Sequence, residues 1–226
     1  MPVLTRDDDV FLLDLGDDEN RFTPEWVAEV GAALDEVVAA DGPKALVTTA
    51  TGKTWSQGLD LAWLTEHPDE LAGYLRSVHA LFARVLALPV PCVAAIGGHC
   101  YAAGAMLALA HDQRVMRGDR GFFCLPEVDI RIPFSPGMSA LISAKLTPAV
   151  AHEAMTTGHR YGGEDAAAAG LVDVAVDQDS LLPTATHRAR ALSGKHGPTL
   201  GAIKTELYNL PLTRLSDGLG ATSLPG

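Results

Sequence analysis

The sequence predicts an α/β fold in which helices cover a mainly parallel sheet, and three observations lead there. Short β-rich runs alternate with segments whose apolar residues recur at helical spacing, the pattern of strand–helix–strand units with right-handed crossovers. Residues 92–96 (CVAAI) form an unbroken apolar run, as a strand buried on both faces requires. The chain has 226 residues, 47% of them hydrophobic, which suits one large domain with a sizeable core and a small appendage.

The elements follow in order. Residues 10–15 (VFLLDL) read as a strand, and an acidic turn at 16–20 follows. Thr23-Pro24 gives a helix cap with proline at the first helical position; Trp26, Val30, Ala33, Leu34 and Val37 keep helical spacing until Asp41-Gly42. Residues 44–49 (KALVTT) predict a strand, Thr51-Gly52 a turn, and 70–88 a long helix stopped by Pro89 and Pro91. The strand at 92–96 runs through Gly97-Gly98 into a helix of small residues at 102–110. Short strands are expected at 114–116, 121–125 and 172–176. Helices are expected at 136–146, 148–157, 164–169, 181–193 and 199–210. Residues 1–176 thus form an α/β core and 177–217 a helical region, with the tail at 218–226 (GLGATSLPG) expected to be disordered.

Composition removes several functions. Seventeen basic against 28 acidic residues leave a net charge of −11, so no broad surface neutralises phosphates and nucleic acid is not an expected partner. No run approaches the roughly 18 apolar residues of a membrane span, and MPVLTRDDD lacks the features of a signal peptide, so a soluble, cytoplasmic protein is expected. Cys92, Cys100 and Cys124 sit in apolar surroundings without CxxC spacing, which predicts buried free thiols and no metal site.

Familiar catalytic motifs also fail. Gly52-Lys53-Thr54 imitates the end of a phosphate-binding loop, but Val47 stands where its first glycine belongs. No serine sits in G-x-S-x-G, His152-Glu153 does not continue to H-E-x-x-H, and no G-x-G-x-x-G follows a strand. His79 is isolated, and Asp7-Asp8-Asp9 reads as a solvated face.

Two loops survive this sieve: 55–61 (WSQGLDL) and 96–106 (IGGHCYAAGAM), each placed after a strand and before a helix. Small residues let backbone N–H groups approach a ligand, and a helix start favours developing negative charge. Facing one another, the loops would make an oxyanion hole; singly, each is an ordinary βα turn.

Four blocks carry a resemblance: ENRFTPE (19–25), GKTWSQGLDLAWL (52–64), the stretch from PCVAAIGGHC to FFCLPEVDI (91–130), and GEDAAAAGLVD (163–173). Together they resemble the crotonase superfamily of enoyl-CoA hydratases and isomerases over residues 10–176, and within it most resemble plant-type Δ3,Δ2-enoyl-CoA isomerases. The resemblance implies a ClpP/crotonase-like spiral of ββα units, a helical C-terminal region, and a homotrimer or dimer of trimers. It implies an acyl-CoA thioester substrate and no separate cofactor, coenzyme A being part of the substrate.

Carried over residue by residue, the resemblance places the oxyanion-hole donors on the backbone of Leu59 and Ala103. Alanine replaces the family's usual glycine at 103, which requires an ordinary φ there. The loop residues Ser56, Gln57, Gly58 and Asp60 are implied to touch the coenzyme A part of the substrate, although Ser56 and Asp60 also read as ordinary turn residues. Hydratases use two glutamates. The first position holds Met106, which cannot activate water, and the second holds Glu127. One carboxylate suffices for a 1,3-proton shift, so isomerisation of 3-enoyl-CoA to 2-enoyl-CoA is the expected activity.

From the residues alone, the plainer reading of Glu127 is an exposed strand-end acid or a partner of Arg131, since surface glutamates are common. Its neighbours Phe122, Phe123, Leu125 and Val128 predict burial and a raised pKa, and Asp129 would share its face if the segment is a strand. Arg114, Arg117, Arg120 and Arg131 are the densest cations, with none singled out for phosphate. Trp55, Trp63 and Phe134 could line an acyl tunnel or belong to the core. The rival functions are another acyl-CoA hydratase, hydrolase or decarboxylase, and a non-catalytic acyl-CoA-binding homologue.

Overall fold

The computed structural model describes residues 1–217, so the 218–226 tail lies outside the described residues. In chain order the elements are β1 (Val3–Asp7), β2 (Val10–Asp14), β3 (Arg21–Phe22), α1 (Pro24–Ala39), β4 (Ala45–Thr49), β5 (Thr54–Ser56), β6 (Gly58–Leu59), α2 (Leu61–Glu66), α3 (Leu71–Leu86), β7 (Cys92–Ile96), β8 (His99–Tyr101) and α4 (Ala103–Ala110). There follow β9 (Gln113–Arg117), β10 (Phe123–Cys124), α5 (Glu127–Ile130), α6 (Pro136–Lys145), α7 (Pro148–Thr157), α8 (Gly163–Ala169), β11 (Val174–Val176), α9 (Gln178–Arg190), α10 (Pro198–Leu207) and α11 (Asn209–Ser216).

Six strands form the main sheet in the order β1-β2-β4-β7-β9-β11. All neighbours are parallel except the β1–β2 hairpin, in which Val3 faces Asp14. Successive turns repeat one plan: a strand enters the main sheet, a shorter strand leaves it, and a helix returns. The short strands build a parallel β10-β8-β5 sheet and a β3-β6 pair. This is the crotonase-type ββα spiral.

Alternation along each central strand divides the core. Leu46, Cys92, Ala94 and Ile96 face the large cluster built by α1, α3, α4 and α6. Val47, Val93 and Ala95 face the other way, onto Leu181, Ala185 and Ala189 of α9. That two-sided burial is why the run at 92–96 carries no polar residue. The C-terminal region is helical, and its two ends do different jobs: α9 covers the sheet, while α11 packs on α3 and α6.

Local signals fix most boundaries. Thr23 Oγ1 accepts from Trp26 N at 3.1 Å and caps α1 ahead of Pro24. Ser135 and Thr147 likewise cap α6 and α7, each followed by proline.

Three departures have clear causes. The start of the chain forms an additional strand, β1, an edge strand whose mostly exposed side chains hide it from a hydrophobicity reading. The helix expected at 199–210 breaks at Tyr208 into α10 and α11, with Pro211 near the start of the second. The strand expected at 121–125 is confined to Phe123–Cys124, because Pro126 turns the chain into α5.

Candidate active site

The two surviving loops meet back to back. Gly58 has φ +78°, and a Cβ there would lie 2.6 Å from Ala103 N; a Cβ on Gly104 would lie 2.6 Å from Ser56 O. Only hydrogen fits at either position, so these glycines set the distance between the loops. Ala103 has no positive φ; the unusual geometry falls one residue earlier, on Ala102 at φ 50°, ψ −126°. The requirement placed on Ala103 is therefore met by displacing the strain. As the first residue of α4, Ala103 also has no intrahelical acceptor for its N–H.

A cavity of about 190 Å³ opens beside this junction. Leu59, Ala103, Met106 and Glu127 line it together, joined by Gln57 at its rim. Its remaining wall includes Leu61, Tyr101, Ile132 and Met138. Glu127 is the only acid among its described lining residues, and the side chain's residue is 6% exposed. Among the described residues its Oε2 has no hydrogen-bond partner. Burial, only partly opposed by a backbone hydrogen bond, pushes the Glu127 carboxyl up to about 8.

The burial of Glu127 agrees with the sequence expectation, but its source differs. Phe122 and Val128 are exposed, and the acid is enclosed instead by the cavity wall. Because α5 is a helical turn and not a strand, Asp129 does not share the face of Glu127: it is exposed and sits against Gly158. That removes the argument for Asp129 as an auxiliary acid.

The other loop residues separate. Ser56 is fully buried; its Oγ donates to Asn20 O at 2.7 Å and accepts from Gly58 N at 3.0 Å, so it holds the loop and offers no side chain to a ligand. Gly58 is buried beneath it. Asp60 caps α2 by accepting from Trp63 N at 3.0 Å and faces a separate acidic depression shared with Glu19 and Glu25.

Trp55 belongs to the core, with its indole reaching Thr48 O. Trp63 stacks on His67 outside the cavity, and Phe134 lines an adjoining groove with Arg131. Arg114 is paired with Asp173 and Arg117 with Asp119.

Arg21 lines the cavity too, donating to Glu19 at 2.7 Å and to Leu59 O at 3.5 Å. It stands in the ENRFTPE block, yet spacing alone gave it no role. Met138 had no sequence signal at all, since α6 reaches the cavity only through the fold.

The family described as enoyl-CoA hydratase/isomerase matches residues 7–214. The chain belongs to that family. It is 35% identical over 221 residues to enoyl-CoA delta isomerase 2, peroxisomal, of Arabidopsis thaliana, with 92% of each chain covered. The solved apo structure of an enoyl-CoA isomerase of Mycobacterium tuberculosis superposes with a TM-score of 0.84 at 28% identity, covering 95% of this chain and 93% of the other. The human mitochondrial delta3-delta2-enoyl-CoA isomerase shares the fold, with a TM-score of 0.88 over 95% of this chain and 85% of its own at 22% identity. The protein is an enzyme of this family, and the four sequence blocks identified it correctly.

Proposed function

We propose that the protein is a Δ3,Δ2-enoyl-CoA isomerase in which Glu127 carries the proton. One observation carries the reading: a buried carboxyl whose Oε2 has no hydrogen-bond partner among the described residues shares an apolar cavity with the start of α4 and the Leu59 loop. The N–H groups of Leu59 and Ala103 hold the thioester oxygen. Glu127 takes a proton from C2, and the electron pair spreads over the oxygen and C1 to C4 as a dienolate. Glu127 then returns the proton to C4, so the C3–C4 double bond becomes C2–C3 with no net loss of atoms or electrons.

Each part has a physical reason. A carboxyl whose pKa lies near neutrality can accept a proton from carbon and give it back, whereas an ordinary surface glutamate holds it too weakly. Two backbone donors, one in β6 and one at the buried start of α4, stabilise the enolate oxygen, an effect worth about 10²- to 10³-fold per donor elsewhere. The apolar wall of Leu61, Met106, Ile132 and Met138 suits an acyl chain. Met106 offers no acid or base to a water, which separates this site from a two-glutamate hydratase. The homotrimer remains part of the proposal, supported by family membership and tested by mass in solution.

The test is conversion of 3-enoyl-CoA, read as 2-enoyl-CoA formation, beside hydration of that product. Isomerisation with marginal hydration is expected. A hydration rate equal to the isomerisation rate would overturn the single-acid reading.

A further inference from the structure

We propose that Tyr74 is a positioning residue for the Leu59 half of the oxyanion hole. The inference rests on the reading of Leu59 as a donor to the thioester oxygen, and it concerns what holds that donor in place.

Tyr74 lies in the first half of α3 and is 4% exposed. Its hydroxyl donates to Phe22 O at 2.6 Å and accepts from Asp60 N at 3.0 Å. These two groups flank the donor. Phe22 is the β3 residue in register with Leu59, and Asp60 is the next residue along the chain. On the upstream side Ser56 Oγ accepts from Gly58 N at 3.0 Å. The peptide that carries the Leu59 N–H is thus bracketed by one held peptide on each side. Leu59 O accepts from the partly exposed Arg21 Nη1 at 3.5 Å, which is a weak restraint by comparison.

This restraint matters because β6 is only two residues long and pairs with a strand of two residues. So short a ladder cannot hold its own geometry, and an oxyanion donor must stay within tenths of an ångström of its working position. Tyr74 supplies that constraint from a rigid 16-residue helix that also packs against α4, the helix bearing Ala103. A single helix therefore sets both halves of the hole. The adjacent Trp63 ring of α2 lies 5.4 Å from the Tyr74 ring.

Tyr74→Phe tests this, with Tyr208→Phe as the comparison variant. The Tyr208 hydroxyl accepts from Lys145 Nζ at 3.2 Å, away from the cavity, so that variant also loses one hydroxyl contact. Expected is a fall in kcat of about 10- to 100-fold for Tyr74→Phe, less than complete loss of a donor, with KM within about threefold. Faster hydrogen exchange at the Asp60 amide should accompany it, and Tyr208→Phe should keep wild-type kcat. An unchanged kcat in Tyr74→Phe, or an equal loss in both variants, overturns the inference. A wild-type enzyme that does not isomerise 3-enoyl-CoA overturns the isomerase reading first, and this one with it.

Discussion

Helix α4 is buried along all eight of its residues, yet its two ends meet opposite surroundings. At the C-terminal end every charge near it has a partner. His111 O accepts from Arg114 Nη1 at 3.1 Å and from Lys145 Nζ at 2.9 Å. The Asp112 carboxylate accepts from Cys92 N at 2.9 Å and from Lys204 Nζ at 2.7 Å, and Arg114 reaches Leu171 O and Asp173. Even the buried His111 ring is held on both sides, by Leu107 O and Thr48 Oγ1. At the N-terminal end there is a strained Ala102 and, among the described residues, a Glu127 oxygen without a hydrogen-bond partner.

The helix dipole accounts for this asymmetry. Cations gather where the last carbonyls point, and in the proposed reaction the start is left open for the negative charge that develops on the thioester oxygen. On that proposal paired charge fixes the structure at one end, and the Glu127 carboxyl is available for chemistry at the other. Burial lowers Lys145 to about 8, with Arg114 pushing the same way, and raises Glu127 to about 8. Similar desolvation thus serves a structural network in one case and, in the proposed mechanism, a proton shuttle in the other.

The sharpest way to break the comparison is Glu127→Gln. The amide keeps the shape and cannot accept the C2 proton, so kcat should fall by at least about 10³-fold, the upper part of the range for general base catalysis because no second carboxylate lines the cavity among the described residues. Near wild-type turnover in a folded variant would return Glu127 to a structural role.

The pH dependence follows from the same group. Only the ionised carboxylate is a base, so kcat/KM should rise about tenfold per unit as pH approaches about 8 and level off above it. Stability moves the other way. With a folded-state pKa above the ordinary carboxylate value, the wild type loses stability relative to Glu127→Gln as pH rises from about 4.5 to about 8. Denaturation of both proteins across that window checks the sign.

How much of this was legible in the sequence depended on how local the signal was. The strand at 92–96 and the capped helices at Pro24, Pro136 and Pro148 announce themselves within a few residues. Glu127 and the two loops were found through motif blocks spread over the chain, since no spacing rule says that residues 58 and 103 touch. Burial of the acid was expected from its sequence neighbours and is produced by distant ones: Met106 from α4 and Ile132 beyond α5. The one-turn α5 was unreadable because four residues are too few to show helical periodicity. Arg21, Tyr74 and Met138 gained their roles only when the spiral brought β3, α3 and α6 to the same place.

At the paired end, Lys204→Met removes one member of a buried ion pair and leaves the Asp112 carboxylate to Cys92 N alone. The expected cost is about 2–3 kcal/mol, below the usual figure for a fully buried pair because Asp112 keeps some solvent contact. Turnover per folded molecule should stay within about twofold. Chemical denaturation gives the first number and an active-site-normalised rate the second. A large loss of kcat without loss of stability would mean that the two ends of α4 do not divide their labour as described.

The smallest expected effect lies in the backbone of the catalytic end. Ala102 holds φ 50°, ψ −126°, a conformation in which a Cβ crowds the chain and which glycine adopts freely. It is kept there by its N–H to Cys124 O at 3.0 Å and by its carbonyl, which accepts from Met106 N at 3.1 Å. The paired end shows nothing comparable, since His111 closes α4 in ordinary extended geometry. Ala102→Gly should relieve strain on the order of 1–3 kcal/mol and lose roughly 0.5–1 kcal/mol through the greater freedom of the unfolded chain. The net gain of about 1 kcal/mol corresponds to a Tm rise of about 2–4 °C in a chain of this size. Because the flanking hydrogen bonds are backbone-only, glycine keeps them, and kcat should change less than threefold. A lower Tm for Ala102→Gly would show that alanine is not strained at this turn, and that strain does not distinguish the catalytic end of α4 from the paired one.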